Sequence, residues 1–303
     1  MKRRLHRHDA STLMLVLWAL LLISAVLLGW IAVSSHRIDA LQEANRGLEA
    51  RAMAHSGMAV ALHPGVGPES PFLEQEVTPG QGYRVTIRSE GGRLNVNYWL
   101  VGGDPGKIAF FKQYLRARGL TLRECEVLTD CLLDWVSPAR GTRRPNSVPI
   151  GPAYQPPHRP LRTIEEIALV AGSEPLVSRA GWKDDLTLYS SGVLDIESAP
   201  AHLLALLPGV GEARAQRFVE LREELRTRST HPGGYPFQNL AEALSYLGMT
   251  QEQFARLSTL AGFRDPVQRV QSVGESRQVI RQVDAIVRKQ PGSKPQILFW
   301  QEP

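Results

Sequence analysis

This 303-residue chain has no proline before Pro64 and no charged residue from Ser11 to Ser35. Without proline nothing in the first sixty residues must break a helix, and without charge the early stretch is free to enter hydrocarbon. Cysteine is almost absent: Cys125 and Cys131 are the only two. They fall on one predicted helix six positions apart, about 9 Å of rise, which is beyond the usual disulfide span. Two buried, unpaired thiols are therefore expected. The chain has no Gly-x-Ser-x-Gly elbow, no His-Glu-x-x-His helix and no phosphate loop. Its eight histidines are scattered, so no enzymatic site is expected. The net charge of +5 is mild and partly belongs to the extreme N-terminus, so composition calls for no nucleic-acid partner.

The segment Thr12–Val33 is apolar enough and long enough to cross a membrane, which needs about 20 such residues. Trp18 and Trp30 suit the interfaces of a bilayer. Before the run stand Lys2, Arg3, Arg4 and Arg7, against Arg37 just after it. The positive-inside rule then puts the N-terminus in the cytoplasm and residues 36–303 outside. A removable secretory signal would have an apolar region of about 7–15 residues followed by a cleavage site. Here the run is longer, and a helical pattern continues through Ile38, Leu41, Ala44, Leu48 and Ala52 to about Leu62. A retained helix is expected, half apolar and half amphipathic.

The remaining 240 or so residues allow one large or two small cores. Residues 63–82 read as a turn-rich linker. Tyr83, Val85 and Ile87 alternate with polar neighbours as a half-buried strand, and Leu94–Leu100 reads as a second strand. Helices follow from Pro105 to about Arg118 and from Thr121, in a capping box with Glu124, to about Val136. The proline-rich, basic stretch 137–152 reads as an exposed loop. Thr163 and Glu166 form a second predicted capping box. Leu186–Tyr189 and Gly192–Ile196 read as strands around a turn, and two helical pairs span 200–261. Arg277–Val287 and Gln296–Trp300 return to strand character, so strands bracket a helical middle. Leu207-Pro208-Gly209-Val210-Gly211 resembles a helix-hairpin-helix turn. It reads either as a phosphate-binding turn or as a tight helix connection; Glu212 directly after it favours the second. Asp130 with Asp134, and Glu165 with Glu166, read as solvated or capping acids.

Taken together these residues resemble the K-type minor pseudopilins of bacterial type II secretion systems. Leu94-Asn95-Val96-Asn97, Cys131–Trp135, Tyr154–Leu161, Ile164–Gly172 and Gly192–Ala215 look like the family's motifs in order and spacing. The resemblance implies an α+β fold: a pilin-like long N-terminal helix, a small antiparallel sheet, and a large helical insertion containing a helix-hairpin-helix-like or SAM-like unit. The implied divisions are a cytoplasmic leader at 1–10, a membrane helix at 11–35, its periplasmic continuation at 36–62, linker and first strands at 63–100, insertion at 101–265 and final strands at 266–303. Function would be non-enzymatic, capping or initiating a periplasmic pseudopilus, with I- and J-type minor pseudopilins, the prepilin peptidase and the inner membrane as partners. Cleavage, followed by methylation, would fall between Ala10 and Ser11, although family leaders usually end in glycine. Many members carry calcium-binding acids after Asp-Trp. Here Asp134-Trp135 leads into Val136, Ser137, Pro138, Ala139 and Arg140, so no metal or other cofactor is expected. Asp195 and Glu197 replace family asparagines. The competing reading is a membrane-anchored periplasmic DNA-binding protein using residues 207–211.

Overall fold

The computed structural model describes residues 7–138, 144–148, 151, 154–228, 235–290 and 292–303. Lys2, Arg3 and Arg4, and the basic positions Arg140 and Arg143, lie outside the described residues. Helix α1 (Arg7–Leu62) runs for 56 residues, about 84 Å. Its last quarter is held against the rest of the chain. Ala50, Ala54, Met58 and Ala61 are buried, and their spacing of four, four and three puts them in one stripe.

That stripe lies on a five-stranded antiparallel sheet built from β1 (Glu74–Thr78), β2 (Gln81–Ser89), β7 (Val267–Ser276), β8 (Val279–Arg288) and β9 (Gln296–Gln301), in the order β1-β2-β7-β8-β9. Val85, Ile87, Val270, Val283, Ala285 and Val287 supply its inner face. Glycines set the close approach of helix to sheet. A Cβ on Gly274 would stand 2.1 Å from the Ala50 carbonyl oxygen, and one on Gly57 would stand 2.6 Å from Ser272 Oγ. Ser272 Oγ donates to the Ala54 carbonyl at 2.7 Å. At the far end Lys289 Nζ donates to the carbonyls of Ala61 and Val66, satisfying groups that a helix C-terminus leaves open.

Strands β2 and β7 are neighbours, with register from Gln81↔Ser276 to Ser89↔Gln268. The described residues between them form one insertion with its own core. It contains β3 (Leu94–Asn95), α2 (Val96–Leu100), α3 (Pro105–Ala117), α4 (Leu122–Val136), α5 (Glu174–Val177), β4 (Leu186–Thr187), β5 (Leu194–Asp195), α6 (Ala201–Leu204), α7 (Glu212–Arg228), α8 (Leu240–Leu247), α9 (Gln251–Ala255) and β6 (Ala261–Gly262). Trp99 stacks on Phe110 at 4.7 Å and Phe218 on Phe237 at 5.3 Å inside that core.

Several local expectations are corrected. Leu94–Leu100 is not a strand beyond Asn95: Asn95 accepts the Tyr98 amide and caps α2, because an asparagine side chain competes with the ladder for backbone groups. Leu186 and Leu194 do not form a hairpin. β4 pairs parallel with β3, and β5 pairs parallel with β6, so each is recruited by a distant partner. The linker holds β1, whose five residues are all exposed and so carry no alternation to read. Thr163 makes no cap, and 164–169 is a 3-10 helix; Glu166 is drawn instead to Arg159, at 3.0 Å through both guanidinium nitrogens. The capping box at Thr121 and Glu124 is present, and both cysteines are buried and not bridged to each other.

Candidate functional site

Two features of the molecule bear on function: the bare part of α1 and the position of the insertion. Leu13–Ile31 is long and apolar enough to cross a membrane, and none of it is buried against the rest of the chain. Trp18, Leu21, Leu28 and Trp30 are among its exposed side chains. Water does not tolerate so large a continuous apolar surface on a monomer, so this segment is suited to a single-pass anchor. Ala10 and Ser11 lie on α1 just before it. From Ile31 to Ala50 the helix rises about 28 Å, with Leu41 and Leu48 exposed on it.

The direction of α1 across the sheet places the insertion. Glu49 meets the sheet first, accepting from Ser276 Oγ at 2.7 Å and from Gln81 Nε2 at 2.8 Å. Ala61 ends against Lys289, at the opposite edge, where Ser89 pairs with Gln268 and Val267 with Arg288. The insertion leaves and re-enters there. It therefore sits on the end of the sheet furthest from the apolar segment.

One carboxylate fastens the two parts. Asp195 is 3% exposed. Its Oδ1 accepts the amides of Glu197 (3.0 Å) and Arg264 (2.9 Å), and its Oδ2 accepts Ser198 Oγ (2.7 Å), Ser89 Oγ (3.3 Å) and the Asp265 amide (3.3 Å). A buried charge is tolerated only with this degree of pairing. Beside it Arg264 binds both oxygens of Glu197, and buried Glu90 takes Arg269 Nε at 2.6 Å. Burial raises the carboxyl pKa values of Glu197 and Asp265, opposed at Glu197 by Arg264 and at Asp265 by Ser191 and the Val267 amide. A cavity of about 410 Å³ at this junction is lined by these groups together with Arg88, Arg93 and Tyr235. In the sequence Asp195 stood out only as a departure from family asparagines, and nothing local marked Glu90 or Lys289.

The motif residues are architectural. Asn97 closes two hydrogen bonds of 2.9 Å with the Leu161 backbone. The Trp135 carbonyl accepts the Arg159 amide at 3.0 Å. These contacts tie α2, α4 and the 154–161 segment together. In the hairpin turn Leu207, Val210, Ala215 and Phe218 point into the core. Gly209 and Gly211 hold φ of 82° and 72°, a conformation that favours glycine. Arg214 is spent on the carbonyls of Gly209 and Gly248, and Glu212 heads α7. This arrangement is that of a tight connection between helices, with Arg214 folded back onto the turn. Asp130 and Asp134, expected in solvent, are buried. Among the described residues no group of three or more His, Cys, Asp or Glu could hold a metal ion.

No family model and no curated protein sequence matches the chain. Its structure is similar to a chain of the crystal structure of the GspK-GspI-GspJ complex from the enterotoxigenic Escherichia coli type 2 secretion system. The TM-score is 0.59 at 14% identity, over 88% of this chain and 99% of that one. The likeness shows the fold expected from the sequence: α+β, with a long apolar N-terminal helix, a small antiparallel sheet and a helical insertion.

Proposed function

We propose that this protein is the K-type minor pseudopilin of a type II secretion system, seated at the tip of a periplasmic pseudopilus. The observation that carries the reading is the combination of a bare apolar half-helix with a head whose insertion crowns the opposite end. The likeness to a chain from a GspK-GspI-GspJ assembly supports it.

In this reading the N-terminus faces the cytoplasm and the head lies in the periplasm, with Leu13–Ile31 holding the precursor in the inner membrane. The prepilin peptidase cuts between Ala10 and Ser11. The apolar segment then leaves lipid for the helices of sister subunits, where Ala19, Ser24, Ala25 and Gly29 permit close approach. I- and J-type minor pseudopilins are the neighbours. Above the sheet the insertion leaves no room for a further subunit, so one copy ends the filament and the role is structural, not enzymatic.

Co-expression with a prepilin peptidase, followed by N-terminal sequencing, tests this. A mature chain beginning at Ser11 is expected. An intact chain, or a cut beyond the apolar run, would overturn it.

A further inference from the structure

The buried pair Asp130 and Asp134 stands one turn apart on α4, immediately before Trp135. Each is less than a tenth exposed, so each needs partners. Among the described residues the partners come from one short segment. Asp130 Oδ2 accepts the Asn146 amide at 3.1 Å and Asn146 Nδ2 at 3.0 Å. Asp134 Oδ2 accepts the Arg144 amide at 3.4 Å, and its Oδ1 lies 3.9 Å from Arg144 Nε.

The segment is shaped to present these donors. Ser147 folds back on the Arg144 carbonyl through both its amide (3.2 Å) and its hydroxyl (3.0 Å). The Val148 amide then donates to Cys131 Sγ at 3.4 Å. Residues 144–148 therefore lie along the face of α4, pinned at Asp130, Cys131 and Asp134.

Calcium requires six to eight oxygen ligands with their lone pairs free. Among the described residues only two carboxylates stand here, and N–H groups with their positive ends point at both. A guanidinium already stands beside the second. A divalent cation would have to displace these donors and would meet the charge of Arg144. The residues do not fit the metal that the sequence resemblance would place after Asp-Trp.

We propose that residues 144–148 form a metal-independent clasp, in which Arg144, Asn146 and two backbone amides neutralise Asp130 and Asp134 in place of a divalent cation. The clasp ties the loop after α4 to the helix that carries it. It does not depend on the assembly role proposed above.

Thermal unfolding of the full chain in detergent, read by circular dichroism, tests this. The midpoint should be the same in excess EGTA and in millimolar calcium chloride. Asn146→Ala should lower it by about 2–4 °C, and Arg144→Gln by less. Adding Arg144→Gln to Asp134→Asn should lower it by less than adding it to the unaltered chain, because the two groups share one interaction. A midpoint that falls in EGTA or rises with calcium would overturn the clasp. So would an Asn146→Ala, Arg144→Gln double variant that melts like the unaltered chain.

Discussion

The two ends of α1 share one unbroken backbone and have opposite surfaces. From Leu13 to Ile31 large side chains point outward on every side and none is covered. From Ala50 to Leu62 the covered face carries Ala50, Ala54, Gly57, Met58 and Ala61. Large residues in the first half suit lipid, or the helices of other subunits, where no fixed partner shape exists. Small residues in the second half suit a partner already in place: a sheet approached so closely that backbone meets backbone at Gly274. Small residues mark the face of α1 fixed against the sheet, whereas the exposed part mixes large side chains with Ala19, Ser24, Ala25 and Gly29.

The sharpest way to break this contrast is to make one substitution in both halves of the packing scheme. Gly274→Val puts a side chain where even a Cβ would stand 2.1 Å from the Ala50 oxygen. It should cost about 3 kcal/mol and lower the melting midpoint of the head by roughly 10 °C. Gly29→Val, with nothing within 4 Å of its Cβ, should leave that midpoint where it was. Equal shifts from the two variants would erase the distinction.

A smaller effect lies at the end of the held half. Burial pushes the Lys289 ammonium from 10.5 down to about 8. Between those values the unfolded chain binds more protons than the folded one, so this group makes stability rise with pH across that window. Denaturant titrations from pH 8 to 10.5 should show the rise in the unaltered chain, and Lys289→Met should lack it. An unchanged slope in the variant would mean that Lys289 is not desolvated where it caps α1.

The sequence was legible where the physics is local. The long helix follows from a stretch without proline, and the cap at Thr121 from the glutamate three residues on. The β2 strand follows from the alternation of Val85 and Ile87 with Thr86 and Arg88. It was opaque where a residue answers to something distant. Leu94 pairs with Leu186 and Leu194 with Ala261, and neither stretch carries a signal for a parallel partner. Asp195 gathers donors from Ser89 and from Arg264 and Asp265, residues that no window holds together. Asp130 and Asp134 looked like solvated acids because their partners lie across a proline-rich loop. The family motifs were visible as patterns, but their purpose as caps and clamps, as at Asn95 and Asn97, appeared only with the fold.

The placement of the insertion on the end of the sheet away from the apolar segment is what makes the protein a terminal subunit in this account. Native mass spectrometry of the chain purified with I- and J-type minor pseudopilins measures that directly. The account predicts a complex holding a single copy of this chain beside its partners. Complexes with several copies stacked together, or no complex at all, would contradict it.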